Sequence, residues 1–464
     1  MRINRNIMIV AAFAAAAITI TSCSQDEMVG ERHSDGAIGF APLLKGATST
    51  TRMVDADHSY GTVGSVKLPN NFDVWAFTSK DNMTAGKVLY MGTKDDGIKI
   101  KKASETDDHT GLGWSHKDAN NFYWGYENQG EVTYWPLDTL RFYAISPAFD
   151  TVNGYSATPS DPIIFDPVFL DGDAKAYFSA KVTDNNMDDI LIAVKNQKAT
   201  ISGSSSDYAV PLVFRHALAK VTFKGQLNPV VNQNMRVEIR SMEITNVLSR
   251  GACSIDFDAS NSDYHSPTGV IKWGSLTEAS SVYTFTPNTY TTTPAASGTN
   301  YLSTYATYAL DGANKKIGAD PTDATATSVT EGEGDNAKTF YKTVDFGSIV
   351  VLPQYITAWA GSDSNLAALN DNTTSPVTNH GTFIKITYDL VSQRGVTILD
   401  AGKVAYVPVT STLWEAGKHY TYTLLFGLGV KENGDPMGAP ITFTVDSVTD
   451  WNTTGTASDI TLGN

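Results

Sequence analysis

The chain has 464 residues, with 34 lysines and arginines against 49 aspartates and glutamates, which gives a formal net charge of −15. This balance argues against a nucleic-acid partner and against a polybasic membrane-surface protein, because phosphate groups select clustered cations. Hydrophobic residues make up 41% of the chain, enough for a globular fold of two or three domains, while two cysteines are too few for a disulfide framework or a cysteine-based zinc site.

The first predicted element is a lipoprotein signal peptide, residues 1–22. Arg2 and Arg5 precede an apolar run that is too short to span a bilayer, and Thr21-Ser22-Cys23 follows it. This ending resembles a bacterial lipobox, which implies that Cys23 is acylated and becomes the first residue of the mature protein. The alternative is an ordinary secretory signal that happens to contain a cysteine. With a lipobox, residues 23–35 form a flexible lipidated linker at the outer membrane, where two or more acyl chains give a stable anchor.

The body of the chain shows the alternation of apolar and polar residues that is typical of β-strands. A period of two predicts strands of antiparallel sheets that are half-buried. The clearest examples are Val74 with Ala76; Ile384, Ile386 and Tyr388; Tyr420, Tyr422, Leu424 and Phe426; and Ile441, Phe443 and Val445. No comparably long segment carries the stripe of an amphipathic helix. The sequence therefore predicts an all-β fold that resembles a β-sandwich.

The middle of the chain contains one change of parity. Val210, Leu212, Phe214 and His216 hold one parity and Ala219, Val221 and Phe223 hold the other, which predicts a bulge or bend near Leu218. His216 lies on the apolar parity, so we interpret it as a buried structural residue. Cys253 lies in a strand-like segment, where we expect a small buried hydrophobe.

A polar stretch at residues 196–207 is the best candidate for a linker between domains. It includes the run Gly203-Ser204-Ser205-Ser206. We therefore predict an N-terminal β-sandwich domain over residues 36–207 and a C-terminal one over residues 208–464, the latter with long polar loops.

The motifs of catalytic and cofactor sites are missing from the sequence. The eight histidines include no His-Glu-x-x-His pair, and no serine lies in a nucleophile elbow. The Gly-x-Gly pairs lack the third glycine and the helix of a dinucleotide loop. Asp171 and Asp173 do not continue into a calcium loop. We predict no catalytic residue, no metal site and no cofactor, and hence a protein that is not an enzyme.

Aromatic residues are concentrated between Trp114 and Phe149. Exposed aromatic rings can stack on sugars, so Trp114 and Trp124 are candidates for a glycan-binding face. Burial in the core of a sandwich is the alternative, and it is favoured because large aromatic side chains contribute most when they are buried.

A series of motifs along the mature chain resembles the fimbrillin family of the Bacteroidota. Each motif alone is a few aromatic residues in a strand, and their order is what makes the match specific. The motifs are Tyr134-Trp135-Pro136, the segment Leu140 to Pro147, Asp189 to Ala193, Leu212 to Val221, Val351 to Gln354, Trp414 to Leu424, and Val445 to Trp451.

The resemblance implies a structural role at the cell surface. Members of the family are lipoprotein subunits of pili or tip adhesins, with two transthyretin-like antiparallel β-sandwich domains in tandem. An arginine-directed protease removes their first strand, and a strand from the next subunit fills the groove. The implied partners are other fimbrial subunits, the outer membrane through the lipid, and glycans or proteins on host or bacterial surfaces. The alternative function is a surface-exposed glycan-binding lipoprotein.

The sequence offers candidates for the strand that leaves. An apolar stretch near the mature N-terminus contains Ile38, Phe40, Leu43 and Leu44, and a Ser/Thr run follows it. Arg52 in that run is the preferred cleavage residue, and Arg32 is the earlier alternative. The competing interpretation is a permanent first strand, with Arg52 as an ordinary loop residue.

Candidates for the donated strand lie at the other end of the chain. They are Ile441, Phe443 and Val445 in one segment and Ile460 and Leu462 in another. The first segment is equally well interpreted as a core strand of the second domain, which leaves only residues 459–464 free to be donated.

Overall fold

The fold is taken from a computed structural model of the chain. It describes residues 36–44, 71–79, 89–93, 97–103, 123–136, 139–148, 175–182, 189–198, 209–228, 235–256, 271–279, 282–287, 305–319, 325, 327–331, 334–356, 382–392, 398–409, 412–430, 436–438 and 441–450. Almost all of these residues lie in strands or their connections, and two single 3₁₀ turns occur at Gln129–Glu131 and Gly334–Asn336. The predicted all-β class is confirmed, while the transthyretin-like tandem arrangement stays a prediction.

The strands of the described residues are numbered in chain order. They are β1 Gly39–Leu44, β2 Asn71–Ser79, β3 Leu89–Met91, β4 Ile98–Ala103, β5 Tyr123–Tyr126, β6 Thr139–Ser146, β7 Lys175–Lys181, β8 Leu191–Gln197, β9 Ala209–His216, β10 Ala219–Leu227, β11 Met235–Leu248, β12 Arg250–Asp256, β13 Ile271–Ala279, β14 Val282–Pro287, β15 Tyr305–Leu310, β16 Lys316–Ile317, β17 Ser328–Glu331, β18 Lys338–Tyr341, β19 Thr343–Val351, β20 Gln354–Ile356, β21 Phe383–Ser392, β22 Ile398–Pro408, β23 Thr412–Trp414, β24 Lys418–Phe426, β25 Leu428–Val430, β26 Pro436–Gly438 and β27 Thr442–Asp450.

The first sheet, here called the N-terminal sheet, has the order β1-β9-β8-β6-β2-β4-β5, with β3 paired to β2. Its strands pair antiparallel except for β1, which runs parallel to β9. Both faces of the sheet are buried. On β2, Phe72, Val74 and Ala76 face one apolar cluster, while Trp75 and Phe77 face a second and larger cluster.

The other strands form three larger sheets and two two-stranded sheets, β20-β23 and β25-β26. The larger sheets have the orders β19-β10-β24-β27, β17-β18-β16-β11-β21-β22 with β15 on β11, and β14-β13-β12-β7. Their apolar residues form the larger cluster together with the second face of the N-terminal sheet. Cys253 lies in this cluster with no exposed surface, which confirms its interpretation as a core residue.

The chain bends between β9 and β10, as the change of parity predicts. Residues 217 and 218 lie outside both strands, and their backbone is held by two hydrogen bonds of 2.8 Å. Ala217 N–H donates to the carbonyl of Ile190, and Leu218 accepts from Gly417 N–H. His216 is 6% exposed and its Nδ1 lies 2.5 Å from Asp189, in agreement with its structural interpretation.

Strand pairing crosses the predicted boundary between residues 207 and 208. β9 follows that boundary yet pairs with β8 and β1 in the N-terminal sheet, and β7 precedes it yet pairs with β12. The bend at residues 217–218 is where the chain leaves the N-terminal sheet for β10. A polar linker in the sequence therefore marks a connection between two strands of the same sheet, because β8 and β9 are antiparallel neighbours.

The segment β24 carries a polar network that depends on pH. His419 Nε2 lies 2.7 Å from the hydroxyl of Thr222, which lies 2.6 Å from the hydroxyl of Ser348. Burial, together with the charges of Lys220 and Lys224, lowers the pKa of His419 to about 4. The folded chain therefore keeps this imidazole neutral at pH values where the unfolded chain already binds a proton.

We predict that the neutral His419 lowers the free energy of unfolding as the pH falls from 6.5 to 4. His419→Gln should remove this part of the pH dependence. The unfolded pKa is near 6.5, so the contribution of His419 is intact above that value and is lost as the pH falls towards 4. A shift of this size corresponds to at most about 3 kcal/mol. Urea unfolding at pH 7, 5.5 and 4.5 measures the difference between the two chains. Stability curves that stay parallel over this range would contradict the assignment.

Candidate strand-exchange site

The site is built around β1, the edge strand of the N-terminal sheet. Its six residues pair parallel with β9, in a register that places Phe40 opposite Val210 and Pro42 opposite Leu212. Pro42 is buried within the strand and has no N–H to donate. A proline is tolerated at a sheet edge, where only one side of the strand needs a full ladder.

A second set of hydrogen bonds holds the residues just before β1. Ile38 N–H donates to the carbonyl of Thr133, and Trp135 N–H donates to the carbonyl of Gly36, each over 2.8 Å. Ala37 forms an antiparallel bridge with Tyr134. Residues 36–38 therefore pair with the segment after β5, and residues 39–44 pair with β9.

A buried tyrosine adds a third contact to this segment. The hydroxyl of Tyr126 donates to the carbonyl of Ile38 over 3.0 Å. Burial raises the pKa of Tyr126 well above its ordinary range, so the hydroxyl keeps its proton and stays a donor. The acceptor of this hydrogen bond is a backbone carbonyl. Any strand that lies in this position can therefore accept it, whatever its side chains.

The side chains of this segment fill the smaller apolar cluster. Ile38 and Phe40 have no exposed surface. The ring of Phe40 lies 6.0 Å from the rings of Phe72 and Tyr126 and 6.2 Å from that of Phe142, mostly edge to face. We call the surface that surrounds β1 the acceptor groove; it is lined by Phe72, Tyr126, Phe142, Val210, Leu212 and Phe214.

The candidate donor segment at the C-terminus is paired within its own chain. β27 is the edge strand of its sheet and pairs antiparallel with β24, with Thr442 opposite Leu425 and Phe443 opposite Leu424. Ile441 is partly buried against the larger cluster. In this structure the segment with Ile441, Phe443 and Val445 is thus a paired strand, which agrees with the interpretation as a strand of the second half.

Of the remaining predicted residues, some lie on described strands and the others lie outside the described ranges. Leu43 and Leu44 pair through their backbones with Val213 and Phe214. Trp124 is 3% exposed and packs on Phe72 with 5.6 Å between ring centroids, so it offers no face to a sugar and belongs to the core. Outside the described residues lie Cys23, Arg32, Arg52, Trp114, Ile460 and Leu462.

Sequence reasoning missed the residues that line the acceptor groove. Thr133 and Trp135 lie in an irregular segment and contact β1 through their backbones, which leave no pattern in a sequence. Tyr126 lies in the aromatic-rich stretch between Trp114 and Phe149, and only its hydrogen bond to Ile38 distinguishes it from the other rings there. Among the described residues, no three His, Cys, Asp or Glu side chains converge as metal ligands, and no helix is long and apolar enough to cross a membrane.

A family model described as fimbrillin-like matches residues 51–330, and the chain belongs to this family. The family resemblance predicted from the ordered motifs is therefore confirmed. None of the curated protein sequences is significantly similar to the chain.

Two solved structures are similar over most of the chain. A fimbrial protein from Bacteroides vulgatus is 13% identical, with 90% of this chain and 100% of that chain covered and a TM-score of 0.43. The tip fimbrial protein Mfa3 from Porphyromonas gingivalis is 12% identical, with 82% and 94% covered and a TM-score of 0.28. Because these identities and TM-scores are low, the chain is assigned to the family from the family model alone.

Proposed function

We propose that the chain is a fimbrial subunit or tip adhesin of the bacterial cell surface that assembles by β-strand donation and mediates adhesion. The observation that carries this proposal is the position of β1. It is an N-terminal edge strand, buried in an apolar groove and held by non-covalent contacts, and Arg52 follows it in the sequence. An edge strand that leaves exposes unpaired backbone groups and an apolar surface, and a strand from a neighbour satisfies both.

The place of the cut decides whether β1 can leave. β1 ends at Leu44 and β2 begins at Asn71, and Arg52 is the one arginine between them. Cleavage after Arg52 separates β1 from the rest of the N-terminal sheet. Cleavage after Arg32 leaves β1 joined to β2, because Arg32 precedes both strands. Strand exchange therefore requires Arg52 rather than Arg32.

The candidate donor has the side-chain pattern of the strand it would replace. Ile38, Phe40 and Pro42 alternate with small residues, and Ile441, Phe443 and Val445 alternate with threonines. Both segments place an aromatic ring between two smaller apolar side chains with a period of two. To be donated, β27 has to leave β24, whereas the second candidate, with Ile460 and Leu462, follows β27 in the chain.

A lipid on Cys23 would hold an uncut subunit at the outer membrane through residues 23–35. A cut after Arg52 would then free the rest of the chain from its lipid, because the anchor and β1 lie on the same fragment. Head-to-tail donation does not close into a ring, so it extends a fimbrium of identical or different subunits. Such a polymer displays its polar loops to glycans or proteins of other surfaces.

The test is digestion of the purified chain with an arginine-specific protease. We expect the wild-type chain to be cut after Arg52 and to form SDS-resistant ladders on gels, because a donated strand is bound by a full backbone ladder and an apolar groove. Arg52→Gln should stay monomeric, and Arg32→Gln should polymerise like wild type. N-terminal sequencing of the products locates the cut.

A matched pair of variants separates loss of the cut from loss of the charge. Arg52→Lys keeps the positive charge and Arg52→Gln removes it, and both should resist the arginine-specific protease and stay monomeric. A chain that is cut after residue 52 and releases β1, yet stays monomeric at high concentration, would contradict assembly by strand donation.

A further inference from the structure

A cavity of about 300 Å³ lies beside β16 and β18 in the sheet formed by β17, β18, β16, β11, β21 and β22, far in sequence from the acceptor groove. Its lining combines three lysines with hydroxyl and amide groups. The lining residues that matter are Asn314, Lys315, Lys316, Lys338, Thr339 and Tyr341. Three cations around one cavity are notable in a chain with a net charge of −15.

The charges around the cavity leave one ammonium group without a carboxylate. Lys315 Nζ lies 3.0 Å from Asp311, and Lys338 Nζ lies 2.6 Å from Glu238. Lys316 Nζ donates to the carbonyl of Asn314 over 3.4 Å, and within the described part of the chain it has no ion pair. The cavity thus carries a net charge near +1, which suits a ligand with a single negative charge.

The backbone that carries two of these lysines is fixed against the buried strand β11. Asn314 N–H donates to the carbonyl of Ile239 over 3.0 Å, and Ile239 N–H donates to the carbonyl of Lys315 over 2.8 Å. Asn314 adopts the left-handed conformation with φ of 62°, which asparagine tolerates better than most residues. At Gly312, a Cβ would lie 2.8 Å from Cβ of Met242, so the turn is packed closely on the core. A preorganised backbone reduces the entropy that binding costs.

Tyr341 supplies an aromatic surface to the same cavity. Its side chain is 49% exposed, although it continues a strand whose preceding residue, Phe340, is fully buried. Its carbonyl accepts from Gly318 N–H over 3.0 Å, which fixes its backbone. An exposed tyrosine beside a cation and hydroxyl groups offers an apolar face and a polar rim, and that combination suits a sugar ring with an acidic substituent.

We propose that this cavity binds an acidic sugar, a pyranose that carries one carboxylate or one sulfate group. Lys316 binds the acidic group, Tyr341 contacts the apolar face of the ring, and Asn314 and Thr339 hydrogen-bond the sugar hydroxyls. The site is independent of strand exchange, since it lies on β16 and β18 and involves no residue of the acceptor groove. It locates adhesion to acidic glycans in the second half of the chain, away from Trp114 and Trp124.

The test is titration of the uncut mature chain with three matched trisaccharide or disaccharide probes. Calorimetry or ligand-observed NMR measures the binding. The probes are 3′-sialyllactose, 6′-sulfolactose and neutral lactose. We expect at least one acidic probe to bind at least about tenfold more tightly than lactose, as a charge-assisted hydrogen bond adds to the shared sugar contacts. The stronger of the two acidic probes identifies the carboxylate or the sulfate as the preferred group.

Single substitutions assign the binding to this cavity. Lys316→Met should lower the affinity for the acidic probe to that for lactose. Tyr341→Ala should lower the affinity for all three probes by about tenfold. Lys198→Met changes an exposed lysine after β8, and Tyr406→Ala changes a half-buried tyrosine on β22; both should bind like wild type. Should either cavity variant unfold, Lys316→Gln and Tyr341→Leu replace it. Equal affinity for acidic and neutral probes, or folded cavity variants with unchanged affinity, would overturn the proposal.

Discussion

Replacing Phe40 by alanine is expected to lower the free energy of unfolding of the N-terminal sheet by about 3–5 kcal/mol. Phe40 has no exposed surface, and its ring is surrounded by those of Phe72, Tyr126 and Phe142. The substitution removes the ring from the centre of the acceptor groove, and the backbone of β1, paired with β9, limits collapse around the cavity. Denaturant unfolding measures the loss of stability.

Hydrogen exchange shows whether the loss falls on β1. We expect the amides of residues 36–44 in Phe40→Ala to exchange faster by a larger factor than those of the second half of the chain, because β1 is an edge strand that can open locally. Phe383→Ala is the matched control, since Phe383 is 3% exposed and lies on β21, outside the groove. If both variants accelerate exchange in β1 equally, the groove does not depend on Phe40 and its assignment is wrong.

Several strands could be predicted from the sequence because they carry a local alternation of apolar and polar residues. Alternation identified β24 and β27, and the change of parity located the bend at residues 217–218. The partners of the strands could not be predicted in the same way. β1 pairs with β9, and β7 leaves its neighbours in sequence to pair with β12, so both pairings join segments that are far apart in the chain. Such pairings depend on the total burial of two faces, which no local pattern records.

The candidate sites show the same difference between residues with a local sequence signal and residues that only the fold brings together. Ile38 and Phe40 were found because an apolar run near a mature N-terminus is conspicuous in a polar surrounding. The groove that receives them was not found, since its residues come from four strands and each has the appearance of ordinary core. Lys316 and Lys338 were overlooked because charged residues on strands usually face solvent, and only the fold brings them to one cavity.

A chain that begins at Met53 is expected to lack a cooperatively folded N-terminal sheet until a strand is supplied. Removal of β1 exposes the acceptor groove, and burial of each large apolar side chain contributes about 1.5–3 kcal/mol. The groove also loses the partners of Thr133, Trp135 and Tyr126. The truncated chain should bind an apolar dye and show no separate unfolding transition for this sheet. A synthetic peptide of residues 36–44 should restore the transition.

The same truncated chain distinguishes the two donor candidates. A peptide of residues 441–448 should restore the sheet if β27 is the donor, and a peptide of residues 457–464 should restore it if the last residues are. The peptide 441–448 with Phe443→Asp is the control, because a carboxylate cannot be buried beside Phe72 and Phe142 without a partner. Rescue by residues 36–44 alone would retain the groove and remove both donor assignments. Rescue by the aspartate peptide would show that the aromatic pocket does not select the strand, since backbone pairing to β9 and to Thr133 would then account for binding without it.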